Sequence, residues 1–154
     1  MVCSCYISLG SNLGDKGQNL RKTIQLIAER AGTVSAISSI YETKPWGYES
    51  KHVFFNMAIQ IETEHTPTQL LKITQKIERE MGRTKKSSES GYQDRIIDID
   101  LIMYGNLVLE TPELILPHPL FHERQFVMDP LCEIAPDLMH PVLEKTIKEL
   151  NFQK

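Results

Sequence analysis

An α+β domain built on an antiparallel sheet is the architecture this sequence predicts, and three observations predict it. Residues 3–9 alternate strictly: Cys3, Cys5, Ile7 and Leu9 share one face, and Ser4, Tyr6 and Ser8 share the other. Residues 53–62 alternate in the same way, with Phe55, Met57, Ile59 and Ile61 opposed to Phe54, Asn56, Ala58 and Gln60. Period-two alternation is the signature of a strand whose two faces meet different surroundings. Between and after such stretches lie two segments at helical spacing, so the order reads β-α-β-β-α-β. That is the ferredoxin-like split βαβ arrangement, in which two helices cover one face of an antiparallel sheet.

The elements follow in order. Gly10-Ser11-Asn12 is expected to break the first strand. Leu20, Ile24, Ile27, Ala28 and Ala31 then recur as a helical stripe, with Gly32 as its C′ stop. A second strand is predicted over residues 34–41 and a loop over residues 43–52, which holds the only tryptophan, Trp46. After the third strand, Thr66-Pro67-Thr68-Gln69 opens the second helix with an N-cap threonine, proline at N1 and glutamine in the capping-box position. Leu70, Ile73, Ile77 and Met81 form its buried stripe, and Gly82 ends it. Residues 83–94 are polar and aperiodic and predict a long loop that closes over bound ligands. The fourth strand is expected over residues 95–103, with Gly105-Asn106 turning a hairpin into residues 107–109. A proline-rich tail with short helices follows.

The 154 residues, 41% of them hydrophobic, suit a single domain spanning 1–154 with its own core. A net charge of −3 gives no bulk attraction to nucleic acid or to an anionic membrane, so an anionic ligand needs a local basic cluster. No apolar run is long enough to span a bilayer. Met1-Val2-Cys3-Ser4 does not read as an export signal. Cys3, Cys5 and Cys132 lack metal-ligand spacing and read as small buried hydrophobes. A cytoplasmic location and a monomer are the expectation.

Three constellations carry chemistry. In Arg95-Ile96-Ile97-Asp98-Ile99-Asp100-Leu101-Ile102-Met103, the apolar set Ile97, Ile99, Leu101 and Met103 faces the core, so Asp98 and Asp100 face the opposite way together. Two strand positions lie about 6.6 Å apart, and two carboxylates at that range suit Mg²⁺, which is held by one or two carboxylates together with substrate phosphates. Arg83, Lys85, Lys86 and Arg95 lie just upstream, and His118 and Arg124 follow. Guanidinium groups match phosphate oxygens in pairs, so basic residues around a dicarboxylate suit a metal-bound polyphosphate. Phe54 beside Asn56, off the core face, offers a ring to stack on and an amide to read the edge of a flat heteroaromatic.

These pieces occur with Ile7-Ser8-Leu9-Gly10-Ser11-Asn12-Leu13-Gly14, Ser38-Ser39-Ile40-Tyr41-Glu42-Thr43 and Phe55-Asn56-Met57-Ala58. Gln75-Lys76-Ile77-Glu78, Gly82-Arg83, Pro117-His118-Pro119, Pro130-Leu131 and Glu133-Ile134-Ala135-Pro136 follow in the same order. Together they resemble the hydroxymethyl-dihydropterin pyrophosphokinase family of folate synthesis, from about residue 6 to residue 141. The resemblance implies an enzyme that takes ATP and a reduced pterin and uses two Mg²⁺ ions. It implies Asp98 and Asp100 as metal ligands, with Arg83 and Arg95 catalytic beside them at the phosphates. His118 and Arg124 would lie nearby, Gln75, Glu78 and Lys85 at the nucleotide, and Tyr92 as the closing lid. Thr43 and Asn56 would bond the pterin edge, Phe54 and Phe126 would sandwich its ring, and Trp46 would form an apolar wall. The sequence departs from the family pattern at Gly91-Tyr92-Gln93-Asp94-Arg95, where many members carry Trp-Gly-Pro-Arg. Lys85 stands where arginine is common, and Phe54 where some members have tyrosine. A D-x-D nucleotidyltransferase and a non-catalytic ferredoxin-like binding module are the rival readings. Both fit less well, because Gly10-Ser11 and the aspartates lie on different strands and a sensor needs no acidic pair among arginines.

Overall fold

The computed structural model describes residues 1–43, 53–82 and 96–152, with the side chain of residue 152 left out. Strand β1 (Cys3–Ser11) is an inner member of a five-stranded sheet. It lies between β4 (Phe54–Thr63) and β5 (Asp98–Tyr104), and β2 (Thr33–Ile37) and β3 (Tyr41–Thr43) both pair with β4. All of these pairings are antiparallel, and the order β2-β4-β1-β5 is that of the split βαβ arrangement.

Register explains the core. Ile7 stands opposite Ile59 on one side and Leu101 on the other, so the apolar faces of three strands make one continuous surface. Helices α1 (Lys16–Arg30) and α2 (Pro67–Glu80) cover it with Leu20, Leu26, Ile27, Leu70 and Ile77. The start of α2 is as the sequence predicts. Thr66 accepts from the Gln69 N–H (3.2 Å), and the Gln69 side chain accepts from the Thr66 N–H (2.8 Å). In α1 the stripe differs: Ala28 is exposed, and Thr23 and Leu26 are buried in its stead.

A second core lies on the opposite face. There Tyr6, Ala58, Ile102 and Met103 pack against Phe121, Val127, Met128, Leu131, Ile147 and Leu150. These come from a 3-10 turn (Phe121–Glu123), α3 (Gln125–Ile134) and α4 (Ile147–Phe152). The tail therefore seals one end of this face only. Cys5 is fully buried, which pushes its thiol up to about 12 and leaves it protonated, while Cys3 and Cys132 are half-buried.

Five expectations are corrected. Strand β1 runs through Gly10 to Ser11 and is not broken there. The predicted second strand is two, because Ser38 interrupts it. Its hydroxyl accepts the Ala58 N–H (2.9 Å) while its own N–H donates to the Ala58 carbonyl (2.9 Å), so a side chain stands in for a ladder partner and the chain bends. Gly32 is required by a close approach, not by a left-handed C-cap: a Cβ there would stand 2.3 Å from the Glu62 carbonyl oxygen. In β5 the strand begins at Asp98, and a register shift puts Tyr6 opposite Met103 but Ile7 opposite Leu101. That bulge moves Met103 from the helix face to the tail face. Finally, Gly105 (φ +54°) does make a turn, yet the chain after it does not return along β5. Strand β6 (Leu109–Glu110) pairs with β7 (Ile115–Leu116), because Thr111 and Leu114 close a tight turn with three hydrogen bonds of 2.9–3.0 Å. Among the described residues no helix is long and apolar enough to cross a membrane.

Candidate active site

The open end of the tail face is built on β1, β4 and β5. Gly10 is paired with Asn56 on one side and Asp98 on the other, and Ser8 with Ala58 and Asp100. Directly opposed residues in antiparallel strands point the same way. Asn56, Asp98 and Asp100 therefore share one face, with the small residues Gly10 and Ser8 between them. Asp98 is half-buried and Asp100 exposed, while Ile99 between them turns into the helix-side core.

Glu78 holds that backbone. It is 7% exposed on α2, and its Oε2 accepts the Ile99 N–H at 2.8 Å. Strand β5 is an edge strand, and an edge leaves every second N–H without a ladder partner. The carboxylate thus satisfies the amide set between the two aspartates and fixes their spacing. Gln75, three residues earlier and so on the same side of α2, is exposed.

At the other flank, Asn56 is 5% exposed, and its Nδ2 donates to Thr43 Oγ1 at 2.7 Å. Thr43 is the last residue of β3 and is paired with Phe54. A Cβ at Gly10 would stand only 3.0 Å from Asn56 Oδ1, closer than side-chain carbons normally come. Gly10 is thus a site residue that sequence reasoning placed in a turn. A glycine inside a strand is the signal that marks such a close approach. Phe54 is half-buried on the Asn56 side. Its neighbour Phe55 lies on the other side, with Lys16 Nζ 4.7 Å from its ring centre and 3.2 Å from the Val53 carbonyl.

The tail contributes the remaining candidates. The His118 N–H donates to the Ile102 carbonyl (2.8 Å), which ties it to the strand carrying the aspartates. Its Nδ1 donates to the Pro119 carbonyl (3.0 Å), which holds the ring against the proline turn. Arg124 is exposed at the N-cap of α3, and Phe126, in the first turn of that helix, is 40% exposed. Trp46, Arg83, Lys85, Tyr92 and Arg95, and with them the expected loops, lie outside the described residues. Among the described residues no three His, Cys, Asp or Glu side chains gather to hold a metal ion; the carboxylates on this face are Asp98 and Asp100.

Residues 6–136 match the family described as 7,8-dihydro-6-hydroxymethylpterin-pyrophosphokinase. The chain belongs to this family. The matched stretch contains every candidate residue from Thr43 to Phe126. The chain is 46% identical over 137 residues to the 2-amino-4-hydroxy-6-hydroxymethyldihydropteridine pyrophosphokinase of Porphyromonas gingivalis, covering 88% of this chain and 92% of that one. It is 46% identical over 131 residues to the Bacillus subtilis protein of the same name, covering 84% and 77%. Its fold is similar to the crystal structure of Plasmodium falciparum HPPK-DHPS wild type with pteroate (TM-score 0.79, 16% identity). That likeness covers 99% of this chain and 42% of the Plasmodium chain, so this protein spans about two fifths of that longer polypeptide.

Proposed function

We propose that the chain moves the terminal pyrophosphate of ATP onto the hydroxymethyl group of 6-hydroxymethyl-7,8-dihydropterin, in folate synthesis, with Mg²⁺ at Asp98 and Asp100. The observation that carries this reading is the pairing of Gly10 with Asn56 on one side and Asp98 on the other. An amide that reads a ring edge and a carboxylate that attracts a metal-bound phosphate then face one cleft, two strand spacings or about 10 Å apart. Membership of the pyrophosphokinase family supports the same reaction.

The donor set fits Mg²⁺. Two carboxylates one strand repeat apart stand beside the small residues Gly10 and Ser8, and phosphate oxygens would supply further ligands to an ion held there. When bound, two such ions would neutralise polyphosphate charge. The protein's own part is placement. Thr43 and Asn56 would bond the pterin edge, Phe54 and Phe126 would stack on its ring, and Trp46 would wall it. Gln75 and Glu78 lie on the nucleotide side, Glu78 acting through the Ile99 amide. Arg83, Lys85, Arg95, His118 and Arg124 would meet the phosphates, and Tyr92 would close the loop. The hydroxymethyl oxygen forms a bond to the β-phosphorus and gives up its proton to solvent, the bond from that phosphorus to the oxygen bridging the α-phosphate breaks with its electron pair going to that oxygen, and AMP leaves. Positioning and charge neutralisation suffice for such a transfer, with no covalent protein nucleophile. The enzyme would act as a cytoplasmic monomer with no nucleic-acid or membrane partner. Chromatography of a reaction with ATP, the pterin and Mg²⁺ tests the reading: AMP is the expected nucleotide product, and ADP as the main product overturns it.

A further inference from the structure

We infer that Glu133 is a positioning residue for the pterin edge of the site, acting through β3 on Thr43 and Asn56. The inference rests on the pterin reading given above. Strand β3 has three residues and is held in the sheet by β4 alone. Short edge strands fray readily, yet the last residue of this one carries the hydroxyl that orients the Asn56 amide. Something besides the ladder has to hold it.

Glu133, in the last turn of α3, supplies that hold. Its two carboxylate oxygens accept the Ser39 N–H at 3.1 and 3.0 Å, one of them accepts the Ser39 hydroxyl at 3.1 Å, and the other the Tyr41 hydroxyl at 2.7 Å. One ionised side chain thus binds both the bend before β3 and its first residue. Bonds to an ionised acceptor are the strong kind. The same contacts hold the Glu133 carboxyl below its usual range, the Tyr41 bond being the largest cause, and push the Tyr41 hydroxyl up to about 12. Tyr41 stands directly opposite Asn56 in the β3–β4 pairing. The route from Glu133 to the ring-reading amide therefore takes two paths, the Tyr41–Asn56 pairing and the Thr43 hydrogen bond at the end of the same strand.

The clamp also joins the two walls of the slot. Phe126 and Glu133 lie seven residues apart on α3, hence on the same side of the helix and about 10 Å apart along it. The helix that presents the exposed ring of Phe126 is the helix that grips β3. Ser39 and Glu133 are both exposed, so the clamp contributes little to global stability and its effect falls on local geometry.

The test is a set of variants, Glu133→Ala, Glu133→Gln, Tyr41→Phe and Asn56→Ala, with KM measured for 6-hydroxymethyl-7,8-dihydropterin and for ATP, each with the other saturating. Glu133→Ala should raise the pterin KM by roughly tenfold, the scale of one charge-assisted hydrogen bond, and change the ATP KM less than about twofold. Glu133→Gln, which keeps an acceptor, should recover most of the loss. Tyr41→Phe should add less on the Glu133→Ala background than alone, because both act through one contact. An equal rise in both KM values, or a lowered melting temperature with the pterin KM unchanged, overturns the inference. Asn56→Ala separates the two readings. If it raises the pterin KM and Glu133→Ala does not, only the role of Glu133 falls; if neither raises it, the pterin slot itself is misplaced.

Discussion

The two faces of one sheet are made from the same three strands and could hardly be less alike. Facing α1 and α2, Cys5, Ile7, Leu9, Met57, Ile59, Ile61, Ile99 and Leu101 are all apolar and nearly all sealed. Facing the tail, the same strands carry Tyr6, Ala58 and Met103 at one end, closed by α3 and α4, and Ser8, Gly10, Asn56, Asp98 and Asp100 at the other. Strand alternation lets each strand serve both purposes without compromise, since neighbouring residues never compete for one environment. The helix face holds the fold, and the open end of the tail face is free to carry groups that would destabilise a core.

The sharpest way to break that comparison is to damage each face and read both stability and rate. Ile59→Ala on the helix face should cost about 2–5 kcal/mol of unfolding free energy, because a fully buried side chain leaves a cavity. Turnover per folded molecule should stay near wild type, as denaturant titration with parallel kinetics would reveal. A rate loss exceeding the loss of folded protein would show that the faces are coupled. On the open face, Asp98→Ala or Asp100→Ala should reduce turnover on the order of 10²–10³-fold while the melting temperature barely moves. Near-wild-type rates in Mg²⁺ would remove both residues from the metal reading.

Phe126→Ala probes the boundary, since this ring belongs to the sealing helix yet stands in the open. It should raise the pterin KM by roughly tenfold and leave the ATP KM little changed, the scale of one lost aromatic contact and its buried area. A change in ATP alone would return Phe126 to packing. The smallest expected effect lies in the closed end. His140 is buried, stacked 5.5 Å from Phe121, and its Nδ1 accepts the Val142 and Leu143 N–H groups at 3.1 Å each. Those bonds need the neutral ring, and burial followed by the nearby His122 lowers its pKa below 6.5. With the folded value depressed, the unfolded chain takes up the proton first as pH falls. The contribution of His140 is therefore complete above pH 6.5 and declines below it. The carboxylates held low by hydrogen bonds, Glu62, Glu80, Glu133 and Glu149, act only below 4.5, so the two windows separate. A melting temperature that drops slightly from pH 7 to pH 5, and a His140→Asn variant that keeps an acceptor and loses the drop, is the expected result. Identical slopes in both proteins would assign it elsewhere.

What the sequence alone determined is what depends on near neighbours. The alternation in β1 and β4 put Asn56 opposite the core set, and Ile-Asp-Ile-Asp put both aspartates on one face, because side-chain direction in a strand follows from position alone. The Thr66–Gln69 capping box was legible because its donors and acceptors lie within three residues. The tertiary structure decided whatever needed a distant partner. Ser38 bends the second strand because its hydroxyl meets the Ala58 amide, and no local pattern announces a neighbour twenty residues away. Gly10 belongs to the site because Asn56 crosses over it, and position 32 requires glycine because the Glu62 backbone passes it. Met103 changed faces through a bulge set by pairing with β1, and Glu78 found its partner in the Ile99 amide across the gap between α2 and β5. The physical reason is common to all of them: a hydrogen bond or a close contact between separate strands and helices depends on their packed positions, which a sequence pattern of period two or 3.6 does not contain.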